Sequence, residues 1–343
     1  LSKFYGLFSY KKRGDEILNN IFEYVEEDGK IIITGLQEGV TTTSIVVPET
    51  INNMPVIVIA YQAFKESSIT SIKIGGNIRA IDAGAFEDCK SLTSVIWNDH
   101  CKTIPNRCFS RCVSLSTFDL SGVESIGKWA FEGSGLQKVD LPRNIQEVGD
   151  SAFSDCRALK AVHWTAQTKN IPQRCFANCA SLSIFDFSSV ESIDDGAFAE
   201  SGLQEVNLPH NIQEVGELVF RECKSLKTFH WNAQTKNIPQ YCFYNCLSLS
   251  MFDFSSVESI HEGAFAKSGL QEANLFHNIQ KVEPFAFQDC KSLVKVEWLS
   301  DEPIEIYTFA NCERLKEVNI SDQVKNIEVN AFQGCPNAEF SFI

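Results

Sequence analysis

The chain has 343 residues, 44% of them hydrophobic and 22% charged, with a formal net charge of −14. That balance excludes a disordered polymer, sets the surface against a phosphate backbone so that no nucleic acid is expected as partner, and leaves no apolar run near the ~18 residues needed to span a bilayer. Length alone would suit two ordinary domains, but a repeat array grows without dividing.

Residues 1–21 stand apart from the rest. Lys11-Lys12-Arg13 followed by Glu16-Ile17-Leu18 reads as a basic stretch leading into a turn or short helix, and the segment is taken as a linker or N-terminal extension. The chain opens at Leu1 with neither an initiator Met nor a signal peptide, so a trimmed or mature form is expected.

From residue 64 onward the chain repeats. A Phe recurs at positions 64, 86, 109, 131, 153, 176, 198, 220, 243, 265, 287, 309 and 332, always 22 or 23 residues apart, which makes 13 units. After each Phe comes a tight turn, then a Leu, with further apolar residues three and five positions later: Leu92, Val95 and Trp97, or Leu159, Val162 and Trp164, or Leu249, Phe252 and Phe254. That alternation predicts a short strand with one face inward. A second apolar pair, such as Ile145 and Val148, closes the unit. No unit buries its apolar side alone, so stacking must supply the core. A longer period of 67 residues lies on top: Phe185 to Ile193 reappears as Phe252 to Ile260, and Asn144 to Gly149 as Asn211 to Gly216. This is the mark of tandem duplication of a three-unit block.

The recurring Ile-x-x-Ile-x-x-x-Ala-Phe-x-x-Cys-x-Ser-Leu pattern, as in Ile78 through Leu92, resembles the BspA-type leucine-rich repeat. Phe22-Glu23-Tyr24, Asp28 through Gly35 and Val46 through Ile51 resemble the N-terminal capping strands of such proteins. The resemblance implies an α/β repeat solenoid: a right-handed leucine-rich-repeat superhelix of about 13 coils, with a parallel sheet on one face. The solenoid is expected over residues 22–343 as one domain, with the cap at 22–60. It further implies surface-exposed or secreted proteins of host-associated bacteria and some parasitic protists, linked to adhesion and protein binding.

Of 13 cysteines, nine sit three residues after the repeat Phe, and Ser67, Ser134, Ser201 and Ser268 fill that slot in the other units. A small buried side chain bonding the next coil's backbone is expected there. Equivalent residues on neighbouring coils lie ~4.8 Å apart with parallel Cβ vectors, whereas a disulfide wants about 3.8 Å between Cβ atoms; free buried thiols are therefore expected. The Cys108/Cys112, Cys175/Cys179 and Cys242/Cys246 pairs recur only every third coil and are too far apart to share a zinc ion. Cys101 is off the pattern and is expected to be the most exposed thiol. Trp97, Trp164, Trp231 and Trp298 recur in an inward slot and read as core, while Trp129 reads as more exposed. Pro142 and Pro209, with Phe276 in the same slot, are expected to end strands.

The outward residues of the first strand should form a continuous ribbon. Its middle row reads Lys73, Ile96, Asp119, Asp140, His163, Asp186, Asn207, His230, Asp253, Asn274, Glu297 and Asn319. Asp119 through Glu297 on this row are the candidate ligand-binding residues. A flanking row is read as Lys138, Lys160, Glu205, Lys227, Glu272, Lys295 and Glu317 with Ser and Thr. Three readings stay open: a solvated polar ladder, a recognition stripe for a basic protein or polar glycan, and a cation site. A flat ladder does not wrap an ion, so neither a metal nor any other cofactor is expected.

No catalytic motif stands out. Carboxylate pairs such as Asp119 with Asp140 have the spacing of a glycoside hydrolase, but a repeated row gives each pair nearly the same surroundings and no means of splitting two pKa values. The expectation is a non-enzymatic protein- or ligand-binding module engaged in cell-surface adhesion or host interaction, its localisation at the cell surface or secreted resting on the resemblance alone. An intracellular interaction scaffold is the alternative, and a polysaccharide-active solenoid enzyme a remoter one.

Overall fold

The computed structural model describes residues 21–164, 167–232 and 234–343. The expectations placed on residues 1–20 lie outside them. Five strands open the fold: β1 (Phe22–Glu27), β2 (Lys30–Leu36), β3 (Ser44–Val46), β4 (Thr50–Ile51) and β5 (Met54–Ile59). Two tight hairpins shape this cap. Asp28 and Gly29 turn β1 into β2, and Asn52 and Asn53 turn β4 into β5, all four with positive φ. Gly, Asn and Asp tolerate that conformation best, and it matches the twist of the flanking strands. β2 pairs in parallel with β5, β5 with Ala80–Ile81, and β3 with Ser71–Lys73. The cap thus hands its hydrogen bonding to two sides of the first coil.

Each coil then contributes up to two short strands and one turn. The first strand set is Ser71–Lys73, Ser94–Ile96, Lys138–Leu141, Ala161–Trp164, Ile184–Phe185, Glu205–Leu208, Thr228–Trp231, Glu272–Leu275, Lys295–Trp298, Glu317–Ile320 and Glu339–Phe342. A second set of two-residue strands pairs on another side of the coil in blocks of three, such as Asn170–Ile171, Ser192–Ile193 and Glu214–Val215. The parallel pairing expected on one face therefore runs on two. Pro142, Pro209 and Phe276 each follow directly on a strand end, as expected.

The expected α/β class is corrected: no helix forms among the described residues. The reason lies around the repeat Phe. The residues two before and two after it adopt left-handed backbone angles, as at Gln62 and Glu66, Arg107 and Arg111, or Tyr241 and Asn245. The alternation turns every second peptide along the stacking axis. Gln62, Phe64 and Glu66 donate their N–H groups to Ala83, Ala85 and Glu87 of the next coil, while Ala63, Lys65 and Ser67 donate back to Ala60, Gln62 and Phe64. An α-helix would satisfy those donors within the coil; here half of them bind the neighbour. A left-handed L-residue costs about 1–2 kcal/mol, offset by backbone bonds that would otherwise go unmade.

The core is columnar. The 13 repeat Phe rings stack without interruption from Phe64 to Phe332, with centroid separations between 5.1 Å (Phe309–Phe332) and 5.9 Å (Phe198–Phe220). The coil repeat sets the spacing, and the excess over ~4.8 Å is the lateral offset that ring quadrupoles prefer. Phe22 of the cap meets the column edge-on at Phe64, 6.3 Å away. Trp164, Trp231 and Trp298 are buried, and all four 67-residue Trp side chains donate Nε1–H to a carbonyl four residues on, at Cys101, Thr168, Thr235 and Glu302.

All 13 cysteines are free, as expected. Each of the nine repeat thiols donates to the carbonyl of the preceding coil's Phe, not to the next coil as expected: Cys89 to Phe64, Cys156 to Phe131, Cys246 to Phe220 and so on. The thiol leans back toward the N-terminus, where the Phe carbonyl has a second lone pair open. Cys101 is buried, contrary to expectation, because the Trp97 indole closes over its loop; the half-buried thiol is Cys335, on the last coil. Trp129 is half-buried beneath the Arg107 guanidinium, 4.7 Å from the ring centre.

Candidate functional site

The first-strand face is not one continuous ribbon. Its strands fall into four sheets, separated at the coil of Asp119, between Ile184–Phe185 and Glu205–Leu208, and at the coil of Asp253. Each break coincides with a Ser-Gly-Leu turn, Ser134-Gly135, Ser201-Gly202 or Ser268-Gly269, one residue shorter than the Cys-x-Ser-Leu form. A Cβ at Gly202 would lie 2.2 Å from the Ala180 carbonyl oxygen, so only glycine fits this shortened turn.

The breaks divide the nine candidate residues into two kinds. Asp119, Asp186 and Asp253 lie outside strands. Each accepts the backbone N–H two residues on, from Ser121, Ser188 and Ser255, at 2.9 Å. The Ser121 N–H and hydroxyl hold the Asp119 carboxyl below its usual range. Each aspartate thus closes a local side-chain turn, at Asp186 directly after the strand Ile184–Phe185 and at Asp119 and Asp253 in coils with no strand on this face.

The other six remain on strands and are registered in pairs: Asp140 with His163, Asn207 with His230, and Asn274 with Glu297. Asp140 is bracketed, with Lys138 Nζ 2.8 Å from Oδ2 and His163 Nδ1 2.6 Å from Oδ1. Lys138, and after it His163, hold the Asp140 carboxyl low. Asn207 turns its amide to Glu205, 3.1 Å away, and leaves His230 exposed. Glu297 pairs with Lys295 at 2.7 Å. Asn274 presents a buried Oδ1 that makes no hydrogen bond among the described residues. Among the described residues no group of three or more His, Cys, Asp or Glu is placed to hold a metal ion, and no helix is long and apolar enough to cross a membrane.

The flanking row also differs from its reading in sequence. Ala161, not Lys160, pairs with Lys138 and Ile184, and Thr228, not Lys227, pairs with Glu205. The period of 2 was counted one residue early there. Two exposed apolar residues thereby enter the face: Ile184 at 73% and Met251 at 75% exposure. They stand 67 residues apart, in the slot two after the repeat Leu that holds Ser94 and Thr117 in earlier coils. That 67-residue recurrence was the signal that could have found them. A cleft of about 710 Å³ opens at the second break, lined among others by Ile184, Phe185, Asp186, Asn207 and Pro209.

A family model described as the BspA type leucine-rich repeat region, in six copies, matches residues 57–183, 118–227, 169–294 and 292–342. No curated protein matches the chain. Among solved structures, the chain is similar to a leucine-rich repeat protein from Bacteroides ovatus, with a TM-score of 0.67, 23% identity, and coverage of 96% of this chain and 100% of that one. It is also similar to a leucine-rich cell surface protein from Faecalibacterium prausnitzii, with a TM-score of 0.55, 20% identity, and coverage of 96% and 95%. At these identities the likeness is one of fold.

Proposed function

This chain belongs to the BspA-type leucine-rich repeat family, and from that premise we propose that it is a non-enzymatic protein-binding module displayed at the cell surface, recognising its partner through the interrupted strand face. The observation that carries the reading is the pair Ile184 and Met251, large apolar side chains held out to solvent beside breaks in the sheet and more exposed than Val46 and Ile96 on the same face. A solvated ladder has no use for them. Apolar knobs among Asp, His and Asn side chains are the composition of a recognition surface, in which a few desolvated anchors supply most of the affinity and a polar rim orients the partner. Asp140, His163, Asn207, His230, Asn274 and Glu297 form the polar rim in this reading, and Asp119, Asp186 and Asp253 shape the turns at its breaks. The surface placement draws on the description of the Faecalibacterium prausnitzii protein as a cell surface protein.

The test is surface plasmon resonance of the chain against a panel of extracellular-matrix proteins, beside an Ile184→Glu/Met251→Glu variant. Binding weakened at least about tenfold in the variant supports the reading; binding equal in both moves the site off this face. A second reading, an intracellular scaffold, is favoured by the 13 unpaired thiols, since free cysteines suit a reducing compartment. Protease accessibility of the protein on intact cells separates the two.

A further inference from the structure

The left-handed slot two residues before the repeat Phe holds residues of every size in the earlier coils: Gln62, Gly84, Arg107, Trp129, Ser151, Arg174, Gly196 and Leu218. Late in the solenoid, aromatic residues gather in it. Tyr241, Phe285 and Tyr307 occupy it, with φ of 50°, 62° and 57°. Large aromatic residues are genuine outliers in this conformation, and the fold does not require them. Sixty-seven residues earlier, Arg174 stands where Tyr241 does, Ala177 where Tyr244 does and Leu218 where Phe285 does. Three aromatic rings thus stand where the preceding duplicate has an Arg, an Ala and a Leu in the same backbone conformation, so the rings are a property of this block's surface and not of the coil.

The rings form a surface of their own, outside the Phe column. Tyr241 lies across Gly263, where a Cβ would fall 2.2 Å from its Cε1, and meets Tyr244 edge-on at 5.9 Å. Phe285 stacks on Tyr307 at 5.5 Å and 16°. Between them is a cleft of about 600 Å³ lined by Tyr241, Tyr244 and Phe285. Its rim is polar and locked. Tyr241 Oη donates to Glu262 at 2.6 Å, and Lys267 Nζ donates to Tyr244 Oη at 2.6 Å. The Arg221 guanidinium lies 5.6 Å from the Tyr244 ring centre. Arg221, Lys267, Glu262 and Asp289 all line the cleft, two charges of each sign.

We propose that this cleft is a binding site for a neutral oligosaccharide. A pyranose ring offers an apolar face of C–H groups, which the negative face of an aromatic ring attracts, and a girdle of hydroxyls that both donate and accept. The cleft presents aromatic faces ringed by a guanidinium, an ammonium, two carboxylates and two phenols, which can answer donors and acceptors alike. Its balanced charge selects against an anionic sugar. The site is separate from the strand face, and neither reading depends on the other.

Saturation-transfer NMR and calorimetry on the full chain, with cello-, xylo-, manno-, malto- and N-acetylchito-hexaose, test the proposal. At least one hexasaccharide is expected to bind. A Tyr241→Arg/Tyr244→Ala/Phe285→Leu variant carries the residues of the preceding block, so the repeat itself shows them to be compatible with the coil. It is expected to bind at least about tenfold more weakly, the loss of roughly one anchoring contact, with an unchanged melting profile. The Ile184→Glu/Met251→Glu variant is expected to bind sugar like the parent. Failure of every hexasaccharide to bind, equal binding by the triple variant, or tighter binding of a heparin hexasaccharide would each overturn it.

Discussion

The thiol of Cys246 donates to the carbonyl oxygen of Phe220, 3.1 Å away on the preceding coil. That oxygen already accepts the Cys223 N–H within its own turn, so the thiol fills its second lone pair. The Ser residues in the same slot instead contact the next coil's thiol, Ser201 with Cys223 at 3.3 Å and Ser268 with Cys290 at 3.3 Å. Cysteine is thus the cross-coil donor, and Cys246→Ser is expected to cost about 1 kcal/mol, with Cys246→Ala costing about 1–3 kcal/mol. Urea midpoints measured at neutral pH compare the two.

Thiol chemistry should be silent in the native state. Burial pushes Cys156 up to about 12 and Cys223 to about 11, whereas Cys335 is half-buried and its thiolate is favoured by the Cys312 thiol. Titration with a thiol reagent at pH 8 is expected to consume one thiol quickly and the other 12 only on unfolding. A fast reaction at Cys101 would contradict its burial.

The same burial makes the protein sensitive to alkali. A thiol whose folded pKa is raised stays protonated in the fold but ionises in the unfolded chain above about pH 8.5. Unfolding then releases protons, so stability is intact below that pH and declines as pH rises toward the folded values. At pH 9.5 each buried thiol would withdraw about 1.4 kcal/mol. With 11 of the thiols raised in this way, the urea midpoint is expected to fall steeply between pH 8 and 9.5, and a flat profile would refute it.

Acid acts through Arg111. Its guanidinium reaches Asp88 at 2.7 Å and the buried Glu87 at 2.8 Å on the preceding coil, and holds the Asp88 carboxyl below its usual range. A depressed carboxylate stabilises the fold above about pH 4 and ceases to do so as pH falls through its folded value. Arg111→Met is expected to cost about 1–3 kcal/mol at pH 7, with the difference from the parent shrinking toward pH 3.

Substitutions on the strand face should separate shape from recognition. Asp186→Ala removes the acceptor for the Ser188 N–H and is expected to cost about 0.5–1.5 kcal/mol. His163→Ala, at an exposed strand position, should stay within about 0.5 kcal/mol of the parent. Gly202→Ala, driven into the Ala180 carbonyl, should cost more than about 2 kcal/mol. Thermal melts rank the three, and an Asp186→Ala variant as stable as His163→Ala would deny the aspartate its structural part.

Much of this molecule was legible in the sequence, because stacking identical units makes each core position periodic. The 13-unit count, the inward Trp and Leu slots and the unpaired thiols all follow from spacing, and the family from the resemblance of the repeated residue pattern. What spacing could not convey was backbone conformation. Nothing in Ala-Phe-x-x-Cys announces that Gln62 and Glu66 take left-handed angles, and those angles turn an expected α/β coil into one without helix by sending half the turn's N–H groups to the neighbour. Nor could a row of outward residues reveal where it breaks. Asp186 and Asn207 read as one ladder, yet Asp186 caps its own strand while Asn207 stays in the next sheet. The difference is a one-residue turn contraction at Gly202, a matter of backbone contact between coils that only the tertiary structure decides. The same limit hid the cleft between Tyr241 and Phe285, since which side chains converge on a surface depends on how the coils are stacked and not on their order along the chain.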